Sequence, residues 1–127
     1  MLFRSRKGTD PQSHVNRANV PATCAACHDK VEAAFRQSVH GMAVAKGNSD
    51  APVCTTCHGE HTILAPSDPK SRVAARNISS QVCSPCHTSV QLSAKYGLRS
   101  DRFQTFRDSY HGLAMRGGSL EVANCTS

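Results

Sequence analysis

Cys24-Ala25-Ala26-Cys27-His28, Cys54-Thr55-Thr56-Cys57-His58 and Cys83-Ser84-Pro85-Cys86-His87 repeat one pattern: two cysteines three positions apart, followed at once by histidine. A Cys-x-x-Cys pair alone is ambiguous among zinc, a redox dithiol and haem attachment. The next residue decides. Histidine makes up 7 of the 127 residues, so three hits in three by chance has odds of roughly 1 in 6,000. Two thiols on one short helical turn can add to the two vinyl groups of a haem. The adjacent histidine then supplies the proximal imidazole. Zinc does not require histidine at that place each time. A thioredoxin-type dithiol normally comes once, within a βαβ pattern that is missing here. The pattern therefore predicts haem c at three complete sites, attached through Cys24 and Cys27, Cys54 and Cys57, and Cys83 and Cys86, with His28, His58 and His87 as iron ligands.

Composition agrees. The chain is 39% hydrophobic, has no Trp and only six aromatic residues, and contains 8 Gly and 6 Pro. It is poor in the large side chains that fill a core, so stacked haems are expected to fill it. No apolar run approaches the roughly 18 residues of a membrane span. The opening Met1-Leu2-Phe3-Arg4-Ser5-Arg6-Lys7-Gly8 lacks the apolar stretch of about 7–15 residues of a complete signal peptide.

The motifs lie in a larger repeat. Asp10-Pro11-Gln12-Ser13-His14-Val15-Asn16-Arg17-Ala18-Asn19-Val20 precedes Cys24, and Asp68-Pro69-Lys70-Ser71-Arg72-Val73-Ala74-Ala75-Arg76-Asn77-Ile78 precedes Cys83. The offset is 58 residues, with one extra residue before Cys83. Ser38-Val39-His40-Gly41-Met42-Ala43 stands before Cys54 as Ser109-Tyr110-His111-Gly112-Leu113-Ala114 stands before Cys125, at an offset of 71. The expected organisation is a basic N-terminal end at 1–9 and one haem domain at 10–127. That domain comprises a two-haem repeat (10–67) and a second copy (68–127) that stops inside a fourth motif at Cys125. On this pattern the chain is expected to be a fragment of a longer array.

The fold class expected is mainly α with much irregular structure and little or no β. Val31, Phe35, Val39 and Met42 mark one face of a helix from Lys30 to Lys46, with Asp29 as N-cap and Gly47 as stop. Phe103, Phe106, Tyr110 and Leu113 mark its counterpart from Arg102 to Arg116, ended by Gly117-Gly118. Each Cys-x-x-Cys-His is expected on a short helical turn, and the Asp-Pro leaders as irregular connectors.

His40 and His111 match across the copies and are candidate distal iron ligands. Glycine within a helix costs about 1 kcal/mol relative to alanine, so the repeated Gly41 and Gly112 suggest close approach of a porphyrin. His61 lies too near His58 to reach the far face of the same haem and is a candidate for a neighbouring one. His14 aligns with Arg72 and is expected to be a solvated leader residue; Met42 and Met115 are expected to pack. Imidazole on both faces of each iron would leave no open site and would favour electron transfer at low potential over catalysis.

These residues resemble bacterial multihaem c-type cytochromes with paired Cys-x-x-Cys-His motifs and intervening Ser-x-His-Gly helices, here Ser38-Val39-His40-Gly41 and Cys54-Thr55-Thr56-Cys57-His58-Gly59-Glu60-His61. The resemblance implies a small multihaem cytochrome fold around closely stacked haems. It also implies electron transfer in a periplasmic or cell-exterior respiratory or anaerobic chain, with redox donor and acceptor proteins as partners, one of them membrane-associated. An oxidoreductase segment acting on a nitrogen or sulfur oxyanion is the alternative function, and a zinc module built from two Cys-x-x-Cys pairs is the alternative cofactor reading. The formal charge is +6. Three ferric haems, each contributing about −1 with its two propionates, would lower it to about +3. Nucleic-acid binding has no support beyond charge, and Arg4, Arg6 and Lys7 are expected to be a solvated end.

Overall fold

The computed structural model describes residues 6–127; Arg4 of the basic end lies outside them. About half of the chain is helical, and no strand occurs among the described residues. The helices are α1 (Val20–Gln37), α2 (Val39–Ala45), α3 (Cys54–His58), α4 (Ser84–His87), α5 (Val90–Tyr96), α6 (Arg102–Asp108) and α7 (Tyr110–Arg116), with a π-helical turn at Ser79–Cys83. None is long and apolar enough to cross a membrane. The chain divides into two compact units, residues 1–60 and 61–127.

The Asp-Pro leaders lie outside helix and strand, as expected, and are built from successive hydrogen-bonded turns. In the first unit the amides of Asp10, Ser13, Asn16 and Asn19 donate to the carbonyls of Lys7, Asp10, Ser13 and Asn16. In the second, Asp68, Ser71, Ala74 and Asn77 donate to Ala65, Asp68, Ser71 and Ala74. Each bond recurs at an offset of 58. Asn19 Nδ2 donates to the carbonyls of Pro11 (2.7 Å) and Ser13 (3.0 Å), and Asn77 Nδ2 to those of Pro69 (2.9 Å) and Ser71 (2.8 Å). Buried Ser13 and Ser71 donate to Arg6 and Leu64. The Ser71–Leu64 bond ties residues 64–67 into the second unit.

The two long helices expected from periodicity are each broken. Ser38 (φ −74°, ψ 161°) separates α1 from α2, and Ser109 (φ −75°, ψ 164°) separates α6 from α7. Each serine accepts from the amide three residues on, Gly41 (3.1 Å) or Gly112 (3.3 Å), and donates back to Phe35 or Phe106 (2.6 Å each). An N-cap serine starts a new helix in a new direction at the end of the old one. The stops fall as expected: Gly47 and Asn48 donate to Val44 and Ala43, and Gly118 and Ser119 to Met115 and Ala114. The Asp29 N-cap does not form, because α1 already begins at Val20 and its non-helical residue is His28 (φ −124°, ψ 46°).

The corner also explains the two glycines. A Cβ on Gly41 would lie 2.0 Å from the Phe35 carbonyl oxygen, and one on Gly112 would lie 2.2 Å from that of Phe106. The chain's own preceding helix is enough to exclude a side chain there. Ridge residues of the expected stripes stay in solvent: Val31 is 65% exposed, Val39 72% and Tyr110 77%. Among the described residues the buried apolar side chains are small, Val20, Ala51, Val53 and Ala74 with Pro21 beside them, and no Leu, Ile, Phe, Met or Tyr is fully buried.

Gly112→Ala is expected to destabilise the chain by about 1–3 kcal/mol or more, and Ser109→Ala by about 1 kcal/mol, in urea unfolding followed by circular dichroism. A Gly112→Ala midpoint equal to the parent's contradicts the corner.

Candidate haem-attachment sites

All three motifs lie on helical turns, each in a different setting. Cys24 and Cys27 share a turn of α1, which loses helical geometry at His28. Cys54–His58 is α3, ended by Gly59 at φ 85°, a left-handed backbone that favours glycine. Cys83 closes the π-turn, Cys86 follows on α4, and that helix ends at His87 with Thr88 as its cap. Residues three apart on a helix lie on one face, so each cysteine pair presents both thiols to one side. The helix stops or breaks at the histidine in every case, so its ring is not held in line with the thiols by a continuing helix.

The third motif reaches this geometry despite its extra residue. Leader and motif stay in register to Thr23 and Gln81, whose amides donate to Asn19 (2.9 Å) and Asn77 (2.8 Å). The insertion is then absorbed in the π-turn, where Ser84 N–H donates to the carbonyl of Ser79, five residues back. A π-turn is the form an α-helix takes when one residue is added. The position of His14 is used structurally in both units. Its carbonyl accepts from the Thr23 hydroxyl (2.8 Å), while the guanidinium of Arg72 donates to the Gln81 carbonyl (3.4 Å).

All seven cysteines are free thiols. Cys24, Cys54, Cys57 and Cys83 are part-buried; Cys27, Cys86 and Cys125 are exposed. Packing of α3 on α1 brings the first and second motifs together within the first unit, near enough for the Cys24 thiol to act on that of Cys54. Burial, then the Cys24 thiol, then Cys57 push the Cys54 thiol up to about 11. Sequence spacing carries no sign of this thiol contact, because it depends on the fold of residues 29–53.

His28, His40, His61 and His111 are exposed, and His58 and His87 part-buried. His61 opens the second unit, while the motif before it closes the first. The His111 ring meets Tyr110 edge-on at 5.8 Å. Among the described residues no group of three or more His, Cys, Asp or Glu that could hold a metal ion is drawn together. A covalently held tetrapyrrole asks only for the two thiols and one imidazole that a single motif carries, and the donor set of each motif fits it.

Cys125 begins a turn like that of Cys54. Asn124 N–H donates to the Ser127 hydroxyl (3.0 Å) as Val53 N–H donates to that of Thr56 (3.1 Å). The amides of Ser127 and Thr56 return to Asn124 and Val53. Cys125 N–H donates to the hydroxyl of buried Ser79 (3.3 Å). The repeat seen in the sequence is thus repeated in the backbone up to Ser127.

Comparison of the chain with protein-family models, with curated proteins and with solved structures gives no match.

In the unmodified chain, alkylation of Cys54 by iodoacetamide is expected to trail that of exposed Cys27 and to accelerate only as pH rises towards about 11. A raised thiol pKa contributes stability that is complete below the ordinary value of 9.0 and is lost as pH rises through about 11. Unfolding midpoints should therefore fall across that interval, and less so in Cys24→Ser. Equal alkylation of Cys54 and Cys27 at pH 8 would contradict the contact.

Proposed function

We propose that the chain is an electron-transfer module carrying covalent c-type haem at Cys24/Cys27, Cys54/Cys57 and Cys83/Cys86. The observation that carries this reading is the triple recurrence of Cys-x-x-Cys-His on a helical turn that ends at its histidine. Few large side chains are withdrawn from solvent, which suits a fold completed by large apolar groups. Haem, when bound, supplies a one-electron ferric–ferrous couple.

The polypeptide's part is tethering and ligation. Each thiol pair forms two thioethers, and His28, His58 and His87 each present an imidazole nitrogen on the same short segment. His40, His61 and His111 are the proposed distal ligands. His40 and His111 stand at equivalent places, one residue before the glycine of each helix corner, and the serine cap fixes the start of the helix on which each lies. Full ligation leaves no position for a substrate, so the proposed role is transport of electrons between donor and acceptor proteins. Covalent attachment needs an exported chain with reduced thiols, so the proposed location is the periplasm or the cell exterior.

Haem-loaded chain is expected to give low-spin ferric spectra and no rapid carbon monoxide binding in the ferrous state. His111→Ala should convert one haem in three to a high-spin, carbon monoxide-binding form, read by absorption and electron paramagnetic resonance. A parent chain that binds carbon monoxide stoichiometrically would overturn the electron-carrier role and favour a catalytic haem.

A further inference from the structure

The starts of α1 and α3 meet in the first unit. α3 packs on α1, and buried Val20 and Val53 line one small cavity together with Thr55 and Thr56. Val20 opens α1, and Val53 is the residue before α3. Cys24 lies one turn on from Val20, and residues four apart share a helix face. Cys54 follows Val53 directly. The contact that buries the two valines therefore brings these two thiols together. Both are part-buried, while Cys27 is exposed. Cys24, thirty residues away in sequence, acts on Cys54 more strongly than Cys57, three residues away.

Disulfide geometry separates the possible pairings. A disulfide needs Cβ atoms about 3.5–4.5 Å apart. Residues three apart on a helix hold theirs about 5–6 Å apart. A bond within Cys24–Cys27 or within Cys54–Cys57 would distort the helical turn that carries it. A bond between α1 and α3 leaves both turns intact.

We propose that, before haem is attached, oxidation joins Cys24 to Cys54, across the two motifs instead of within either. The oxidant is a small disulfide of the glutathione class. The thiolate of one cysteine attacks it, forming a mixed disulfide and releasing one small thiolate. The thiolate of the other cysteine then attacks the protein sulfur of that mixed disulfide, closing the Cys24–Cys54 bond and releasing the second. The two protein sulfurs lose two electrons, the small disulfide gains them, and the two thiol protons leave on the two small thiols. One bond thereby withdraws a thiol from each of two motifs, and neither can form both its thioethers until the bond is reduced. The first unit thus opens or closes both of its attachment sites together. That consequence rests on the proposed haem sites; the bond itself does not.

The full chain made without haem attachment tests the bond. It is equilibrated with oxidised and reduced glutathione, capped with iodoacetamide and cleaved with trypsin. The expected product joins the peptide of residues 18–30 to that of residues 47–70, with Cys27 and Cys57 capped. Cys24→Ser and Cys54→Ser should each abolish it, and Cys27→Ser and Cys57→Ser should leave its yield unchanged. Bonds confined to single peptides, a joined product that survives Cys24→Ser, or seven capped cysteines at every glutathione ratio would overturn the proposal. Ferrous haem offered to the oxidised chain should attach at the third motif alone, and to the dithiothreitol-reduced chain at all three; equal loading of the first two motifs in both forms overturns their joint closure. Production in a host with c-type maturation separates the two readings. A chain that the host loads with haem, but whose haem-free form gives no joined peptides, fails the bond alone. A chain that gives joined peptides, but leaves the host without haem, fails the electron-transfer reading alone.

Discussion

Two thiols on one helical turn, with a histidine where that turn stops, form the constraint around which both units are organised. The leader fixes where the turn begins. Asn19 and Asn77 each clasp two carbonyls of their own leader, and each such bond is worth about 0.5–1.5 kcal/mol. The first helical residues, Val20 and Ile78, then donate to Asn16 and Ala74. The helix corner sets the course of the chain beyond α1 and α6, because Ser38 and Ser109 restart it where Gly41 and Gly112 let two backbone segments nearly touch.

The single extra residue before Cys83 shows how strongly the turn is maintained. An insertion in an α-helix would rotate everything after it by about 100°. Here one i→i−5 bond at Ser79–Ser84 absorbs it, and the third motif still ends its helix at histidine. The larger insertion, about twelve residues between His87 and Ser109, is accommodated as helix α5 and the loop after it. That part of the second unit has no counterpart in the first.

Much of this architecture was legible in the sequence. Helical class, the absence of strand among the described residues, the helical turn at each motif and the stops at Gly47 and Gly117-Gly118 come from local chemistry: spacing, caps and glycine. The breaks at Ser38 and Ser109 were hidden because apolar spacing continues across them; Val39 and Tyr110 keep the period although the axis turns. Gly41 and Gly112 were visible as exceptions, but their cause was a carbonyl of their own chain. The order within the leaders was hidden because it rests on Asx and serine hydrogen bonds instead of periodicity. The approach of Cys54 to Cys24 is tertiary, and no local pattern encodes it.

Covalent attachment of haem is the central claim, and the mass of the intact chain under denaturing conditions tests it most directly. The chain should be produced behind an export signal in a host with c-type maturation. Three haem adducts per polypeptide that survive acid extraction, with Cys125 the one cysteine still open to alkylation, are the predicted result. An exported, folded chain with the mass of the polypeptide alone and seven alkylatable cysteines would contradict it.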